Sequence, residues 1–170
     1  MNGKGQAVSR LDRTIARLQA QKYSIEAAAA ALEKTPGVIF ELGLGSGRTF
    51  DHLRTIFPDR QILVFEQAVD TAPSYTPTAE QLILGEITTT LQQAVEQYTD
   101  SVALIHADIG GPDHLANAQL ARALSQHYPR LLVHGGWLIA NRAEAVFAGS
   151  SPITLPNEVA ADHCYLFRRT

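Results

Sequence analysis

Four short stretches of the 170-residue chain carry residue types that chemistry can use, and each sits where an apolar run ends. The first reads Glu41-Leu42-Gly43-Leu44-Gly45-Ser46-Gly47-Arg48. Glycines let a backbone turn tightly and let a ligand approach the main chain closely. A dinucleotide fingerprint, G-x-G-x-x-G, needs its third glycine at position 48, and that residue is Arg. The spacing here is G-x-G-x-G, which disfavours a nicotinamide or flavin dinucleotide and a nucleotide-binding oxidoreductase with it. Glu66, followed by Gln67, stands 19 residues beyond Gly47. A carboxylate there can accept hydrogen bonds from both hydroxyls of a ribose and would repel a 2′-phosphate. Gly85-Glu86-Ile87 offers a small residue, an acid and an apolar contact, a set that suits an adenine ring. The fourth stretch is His106-Ala107-Asp108-Ile109-Gly110-Gly111, in which Asp108 and then His106 are the nearest candidates for a general base.

These residues need elements to hold them. After a polar, glycine-containing start over residues 1–9, expected to fray, apolar residues recur at helical spacing over about 10–34 until Thr35-Pro36-Gly37 stops them. This is one long helix or two abutting ones. Short β-favouring runs at 38–42, 61–66, 81–84 and 101–107 alternate with helical patterns from Phe50, at 87–98 and at 113–127. Residues 131–133 finish a helical pattern, Gly135-Gly136 turns, and 137–140 make a fifth strand. Two tail strands are expected at 153–155 and 163–167, the last antiparallel. Strands alternating with helices imply a mostly parallel sheet, covered on both faces by right-handed crossovers. The fold class is α/β, a single doubly wound, Rossmann-like domain over 1–170 with about six or seven strands. In such sheets ligands bind at the carboxyl ends of the strands, where all four stretches stand.

With order and spacing in place, the pattern resembles the class I S-adenosylmethionine-dependent methyltransferases. The matching features are Glu-Leu-Gly-x-Gly-x-Gly after strand one, an acid ending strand two, Gly-acid-Ile after strand three, an acid after strand four and a Gly-Gly turn before strand five. More narrowly, residues 41–49 together with 106–111 look like a family of short, single-domain bacterial methyltransferases. The resemblance implies S-adenosylmethionine as cofactor. Gly43, Gly45, Ser46 and Gly47 would line its methionine and ribose side, and Glu41 would help hold its amino group. Glu66 and Gln67 would take the ribose, Gly85, Glu86 and Ile87 would flank the adenine, and Asp108 would border the cofactor. Methyl transfer is an in-line displacement, so alignment of nucleophile and methyl group carries most of the catalysis. A base, Asp108 or His106, is required only when the nucleophile must lose a proton.

Plainer roles compete at several positions. Glu41 also reads as a strand-end carboxylate satisfied by loop amides, Asp108 as a cap of the turn before Pro112, and His106 as a hydrogen-bonded core residue. Tyr75, in the proline-bearing loop 71–77, could reach over the cofactor, although a plain loop aromatic is the simpler reading. Trp137 and Cys164 read as core, and the alanine run 27–31 as helix packing surface. Some small O-methyltransferases hold a divalent cation with an Asp-Asn pair after strand five. Here Ala140-Asn141 stands instead, one hard oxygen ligand is missing, and no metal is expected. The Asn-Pro-Pro-aromatic motif of amino-group methyltransferases is absent as well.

Fourteen Lys and Arg oppose 17 Asp and Glu, a net charge of −3 unevenly spread. Residues 61–121 hold no Lys or Arg and eight acids, which argues against nucleic acid near this segment. Glu66, Glu86 and Asp108 place part of that charge on the cofactor rim. An acidic rim suits a sulfonium cation and an acceptor that is neutral or cationic more readily than phosphorylated. A lone cysteine forms no intrachain disulfide, and neither a signal peptide nor an apolar membrane span is evident. The expectation is a cytoplasmic enzyme acting on a small-molecule methyl acceptor, with room for a homo-oligomer. The alternative is a non-catalytic module that binds the cofactor, since so short a chain leaves little sequence for a substrate lid.

Overall fold

The computed structural model describes residues 8–157, 159 and 162–170. Residues 1–7, most of the stretch expected to fray, lie outside the described residues. The chain runs α1 (Arg10–Ala31), β1 (Val38–Leu42), α2 (Arg48–Ile56), β2 (Ile62–Glu66), β3 (Leu82–Leu84), α3 (Ile87–Gln97), β4 (Val102–Ala107), α4 (His114–Ser125), α5 (Tyr128–Leu131), β5 (Leu132–Ala140), β6 (Ser150–Pro152) and β7 (Tyr165–Arg169). Strand order is β3-β2-β1-β4-β5-β7-β6. The first five strands are mutually parallel, and β7 runs antiparallel to both its neighbours. Order reverses between β1 and β4, so a crevice opens there at the carboxyl ends.

Central strands buried on both faces read as unbroken apolar runs, and side chains alternate between two cores. Phe40, Leu42, Leu63, Phe65, Ile105 and Leu138 face α3 and α4. Ile39, Ile62, Val64, Leu104 and Ile139 face α1 and α2, where Cys164 is also buried. Fully burying side chains of this size contributes about 1.5–3 kcal/mol each, which offsets the entropy of ordering the chain.

The N-terminal segment is one helix. Its start is set by a capping box in which the Ser9 hydroxyl accepts from the Asp12 amide at 3.0 Å while Asp12 Oδ2 accepts from the Ser9 amide at 3.2 Å. Ala20, Ile25 and Ala28 from its middle onward are buried, whereas Leu11 and Ile15 nearer its start are exposed. The first half thus stands clear of the sheet, with Arg17 on it.

The last strands depart from expectation. Gly135-Gly136 lies inside β5 rather than before it, because Val102 pairs with Leu132 while Leu104 pairs with Trp137, so residues 133–136 bulge from the ladder. A Cβ on Gly136 would fall 2.9 Å from the Val133 carbonyl oxygen and 3.2 Å from that of Ala103. The glycine therefore permits a close backbone approach instead of ending an element. β6 forms at Ser150–Pro152, ahead of the apolar residues Ile153 and Leu155, which pack on the second core. β7 extends through Arg168 and Arg169 because its ladder with β5 and β6 continues where its hydrophobicity stops.

Candidate functional site

The glycine loop joins β1 to α2 and crosses the crevice. Gly43 has φ +90°, and a Cβ there would meet Ile109 Cγ2 at 2.8 Å and the Asp108 carbonyl oxygen at 2.9 Å. Any other residue would close the gap between the β1 and β4 ends. Glu66, at the end of β2, holds the loop in place. Its Oε2 accepts from the amides of Leu44 at 2.7 Å and Gly45 at 3.2 Å, and its Oε1 from the Gln67 amide at 2.7 Å. A carboxylate offers about four acceptor positions, so one remains for a ligand hydroxyl. Gly47 is buried and caps α2, with the Tyr75 backbone and Cβ against it, while much of the Tyr75 side chain is exposed.

A cleft of about 360 Å³ runs from this loop toward α4, with Gly43, Phe65, Glu66, Gln67, Glu86, Ile87, Ile109, Gly110, Gly111, Ala116, Asn117 and Leu120 in its walls. One side is therefore acidic and hydrogen-bonding and the other apolar. Glu86 also caps α3, its carboxylate accepting from the amides of Thr88 at 3.2 Å and Thr89 at 3.0 Å and from both threonine hydroxyls. Those hydrogen bonds, from the Thr88 hydroxyl first, hold its carboxyl down at about 2. Gly85 lies behind, packed on Thr90.

Beyond Gly43 a smaller cleft of about 250 Å³ carries Arg17, Leu18, Gln21, Gly45, Ser46, Arg48, Thr49 and Asp108. Asp108 divides it from a third, of about 420 Å³, whose polar walls include Asn117, Asn141, Arg142, Asp162 and His163. Three donors converge on the Asp108 carboxylate: Arg17 Nη1 at 2.9 Å, Gln21 Nε2 at 2.6 Å and Asn141 Nδ2 at 3.0 Å. Helix α1 and the β5 end thus fix this side chain from both sides. Helix α4 is capped by Asp113, whose side chain accepts from the Leu115 and Ala116 amides.

Glu41 and His106 occupy paired positions on β1 and β4 and face the α1–α2 core, 0% and 1% exposed. His106 Nδ1 lies 2.7 Å from Glu41 Oε2, and the Thr49 hydroxyl donates to Glu41 Oε1. Burial acts to push the His106 imidazolium down, but the charge and hydrogen bond of Glu41, with Asp108 nearby, outweigh it and hold its pKa above the usual histidine value.

Of the residues singled out from sequence, Glu66, Gln67, Glu86 and Ile87 share the first cleft with Gly43, while Gly45, Ser46 and Asp108 line the second with it. Gly47 and Gly85 support the loops from behind, and Glu41 and His106 lie beneath the floor, lining none of these clefts. Placed so, His106 reaches a ligand only through its neighbours. Sequence reasoning missed Arg17, Gln21, Asn117 and Arg142. Arg17 and Gln21 share a face of the helical pattern at i, i+4, a spacing that marks them as a pair without saying what they meet.

A family model described as S-adenosyl-L-methionine methyltransferase matches residues 8–169. Among solved structures, an S-adenosyl-L-methionine methyl transferase from Silicibacter pomeroyi DSS-3 is 38% identical, covers 95% of this chain and 99% of its own, and superposes with a TM-score of 0.89. Two others share the fold at lower identity. The release factor-specific protein-(glutamine-N5) methyltransferase from Alicyclobacillus acidocaldarius is 19% identical over 89% of this chain and 92% of its own, with a TM-score of 0.57. Human methyltransferase-like protein 13 in complex with SAH is 14% identical over 91% and 81%, with a TM-score of 0.58. No curated protein matches the chain. No helix among the described residues is long and apolar enough to cross a membrane.

Proposed function

The chain belongs to the S-adenosyl-L-methionine methyltransferase family, and on that premise we propose that it moves a methyl group from S-adenosylmethionine to a small-molecule acceptor without a metal. The observation that carries this reading is the run of three adjoining clefts at the switch point. Together they are sized for one extended cofactor and a small second reactant.

The residues present fit the cofactor. The missing side chain at Gly43 leaves the gap between β1 and β4 open, Glu66 keeps an acceptor position for a ribose hydroxyl, and Ile87 with Leu120 gives an apolar wall for adenine. Arg17, Arg48 and the loop at Gly45 and Ser46 stand where the methionine end would go. S-adenosylmethionine supplies an electrophilic methyl group on a sulfonium. The chain's own residues bind and align. Glu66 fixes the loop, Asp108 sits on the boundary with the third cleft and accepts a proton when the nucleophile must lose one, and the Glu41–His106 pair beneath keeps β1 and β4 in register. Metal independence is supported by the three donors on Asp108, whose carboxylate is met by a guanidinium and two carboxamides.

Calorimetry with S-adenosylmethionine, S-adenosylhomocysteine and NAD, paired with a screen for S-adenosylhomocysteine release over small acceptors in chelator, tests the proposal. It expects both sulfur compounds to bind below millimolar concentration and NAD not to bind. It also expects turnover with at least one acceptor. Binding without turnover across the screen would favour a non-catalytic module, and turnover that chelator abolishes would overturn metal independence.

A further inference from the structure

Resting on that reading, we infer that the methyl acceptor carries a carboxylate and that Arg142 binds it in the third cleft, at the ends of β4 and β5. This cleft shares Ile109, Gly110 and Asn117 with the one assigned to adenosine and Arg17 and Asp108 with the one assigned to the methionine end. A molecule lodged there lies against both halves of the cofactor site, which is where a second reactant must stand.

The charges in the cleft identify its chemistry. Arg17 and Asp108 compensate one another at 2.9 Å. Arg142 is half-buried, and among the described residues no carboxylate stands within ion-pairing distance of it. Its Nη1 lies 3.5 Å from His114 Nδ1, which accepts from it when that nitrogen carries no proton, a contact that adds no negative charge. Asp162, exposed on the same wall, stands near Tyr165, whose ionisation is pushed up by burial first and by the Asp162 and Glu144 carboxylates after it, with Arg142 acting in the opposite direction. Among the described residues the cleft therefore presents a guanidinium with no carboxylate in ion-pairing range.

The backbone leading into Arg142 is held in position. The preceding residue, Asn141, donates its amide to the Ala107 carbonyl at 3.1 Å and its carboxamide to Asp108 Oδ1 and the Ile109 carbonyl at 3.0 Å each. A planar fork starting from a pinned strand end suits the two oxygens of a carboxylate. A dianionic phosphate fits less well, since one arginine would have to balance it beside Asp108 and Asp162. This differs from the neutral or cationic acceptor suggested by the acid-only segment 61–121, because that segment forms only part of the wall and the cations come from α1 and from beyond β5.

The test titrates acetate, benzoate and succinate, the amide of each, and phenyl phosphate into the full chain saturated with S-adenosylhomocysteine, for the native protein, Arg142→Gln and Arg142→Lys. At least one carboxylate is expected to bind at least tenfold more tightly than its amide and than phenyl phosphate. Arg142→Gln should weaken that carboxylate about ten- to a hundredfold, Arg142→Lys should restore part of the loss, and S-adenosylhomocysteine affinity should stay within about twofold. A panel in which no carboxylate binds, amides that bind as well, phosphate preferred to carboxylate, or a preference that survives Arg142→Gln would each overturn the inference. Failure of S-adenosylhomocysteine itself to bind would instead refute the methyltransferase reading beneath it.

Discussion

Among the described residues, His106→Leu leaves Glu41 as a carboxylate in the α1–α2 core with only the Thr49 hydroxyl donating to it. Both members of the pair are essentially without solvent contact, so water cannot replace the lost partner. Breaking a buried pair on one side costs about 3–5 kcal/mol, and each kcal/mol moves Tm by about 2–4 °C in a chain of this size, so a fall of about 6–20 °C is expected. Glu41→Leu combined with His106→Leu should recover most of that loss, since two apolar side chains paired across β1 and β4 leave no charge stranded. The effect also has a pH signature. Because the folded imidazole holds its proton above the usual value, the stabilisation is fully present below about pH 6.5 and is lost as pH rises through the folded value. Melts by circular dichroism on both sides of that window, for the native protein, each single variant and the double variant, measure all three quantities. The reasoning is refuted if His106→Leu melts within about 2 °C of the native protein, if the double variant is no more stable than His106→Leu, or if the native protein loses no stability relative to the double variant, which has neither titrating group, as pH rises through the folded His106 value.

Glu66→Ala removes the acceptor of two loop amides and the ribose contact together. Losing hydrogen bonds to a charged group should weaken S-adenosylhomocysteine binding about ten- to a hundredfold, and calorimetry showing unchanged affinity would place the ribose elsewhere. Gly43→Ala forces a side chain into left-handed backbone and onto Ile109, so a stability loss of about 1–3 kcal/mol is expected in urea melts, with cofactor binding impaired alongside. The Glu86 carboxyl should titrate at about 2 by NMR, and an ordinary carboxylate midpoint would show that the α3 cap does not form. Arg17→Ala breaks a half-exposed ion pair worth less than about 1 kcal/mol, so Tm should barely move while ligand binding falls. A large Tm loss would recast Arg17 as structural.

Much of this was legible because strand ends announce themselves. Short β-favouring runs of four to seven residues followed by glycine or an acid give the position of Gly43, Glu66, Glu86 and Asp108 along the chain, and alternation assigns Phe40 and Ile39 to opposite faces. The misses share a physical origin in tertiary packing. Arg17 lies 91 residues from Asp108 and meets it only because α1 extends past the sheet. Alternation puts His106 on the same side as Asp108, but periodicity carries no depth, and His106 with Glu41 is covered by α1 and α2 while Asp108 reaches the clefts. The capping role of Glu86 was unseen because glutamate is not a favoured N-cap residue, although three threonines follow at 88–90. At Gly135-Gly136 two glycines read as a break when the strand bulges through them.

The account rests most directly on where the cofactor lies, and a crystal structure with S-adenosylhomocysteine decides it. Adenine between Ile87 and Leu120, a ribose hydroxyl on Glu66 and the methionine end between Gly45 and Arg17 is the predicted arrangement, with the sulfur turned toward Asp108 and the third cleft left free. A ligand bound outside these clefts, or one whose methionine end fills the cleft at Arg142, would contradict it.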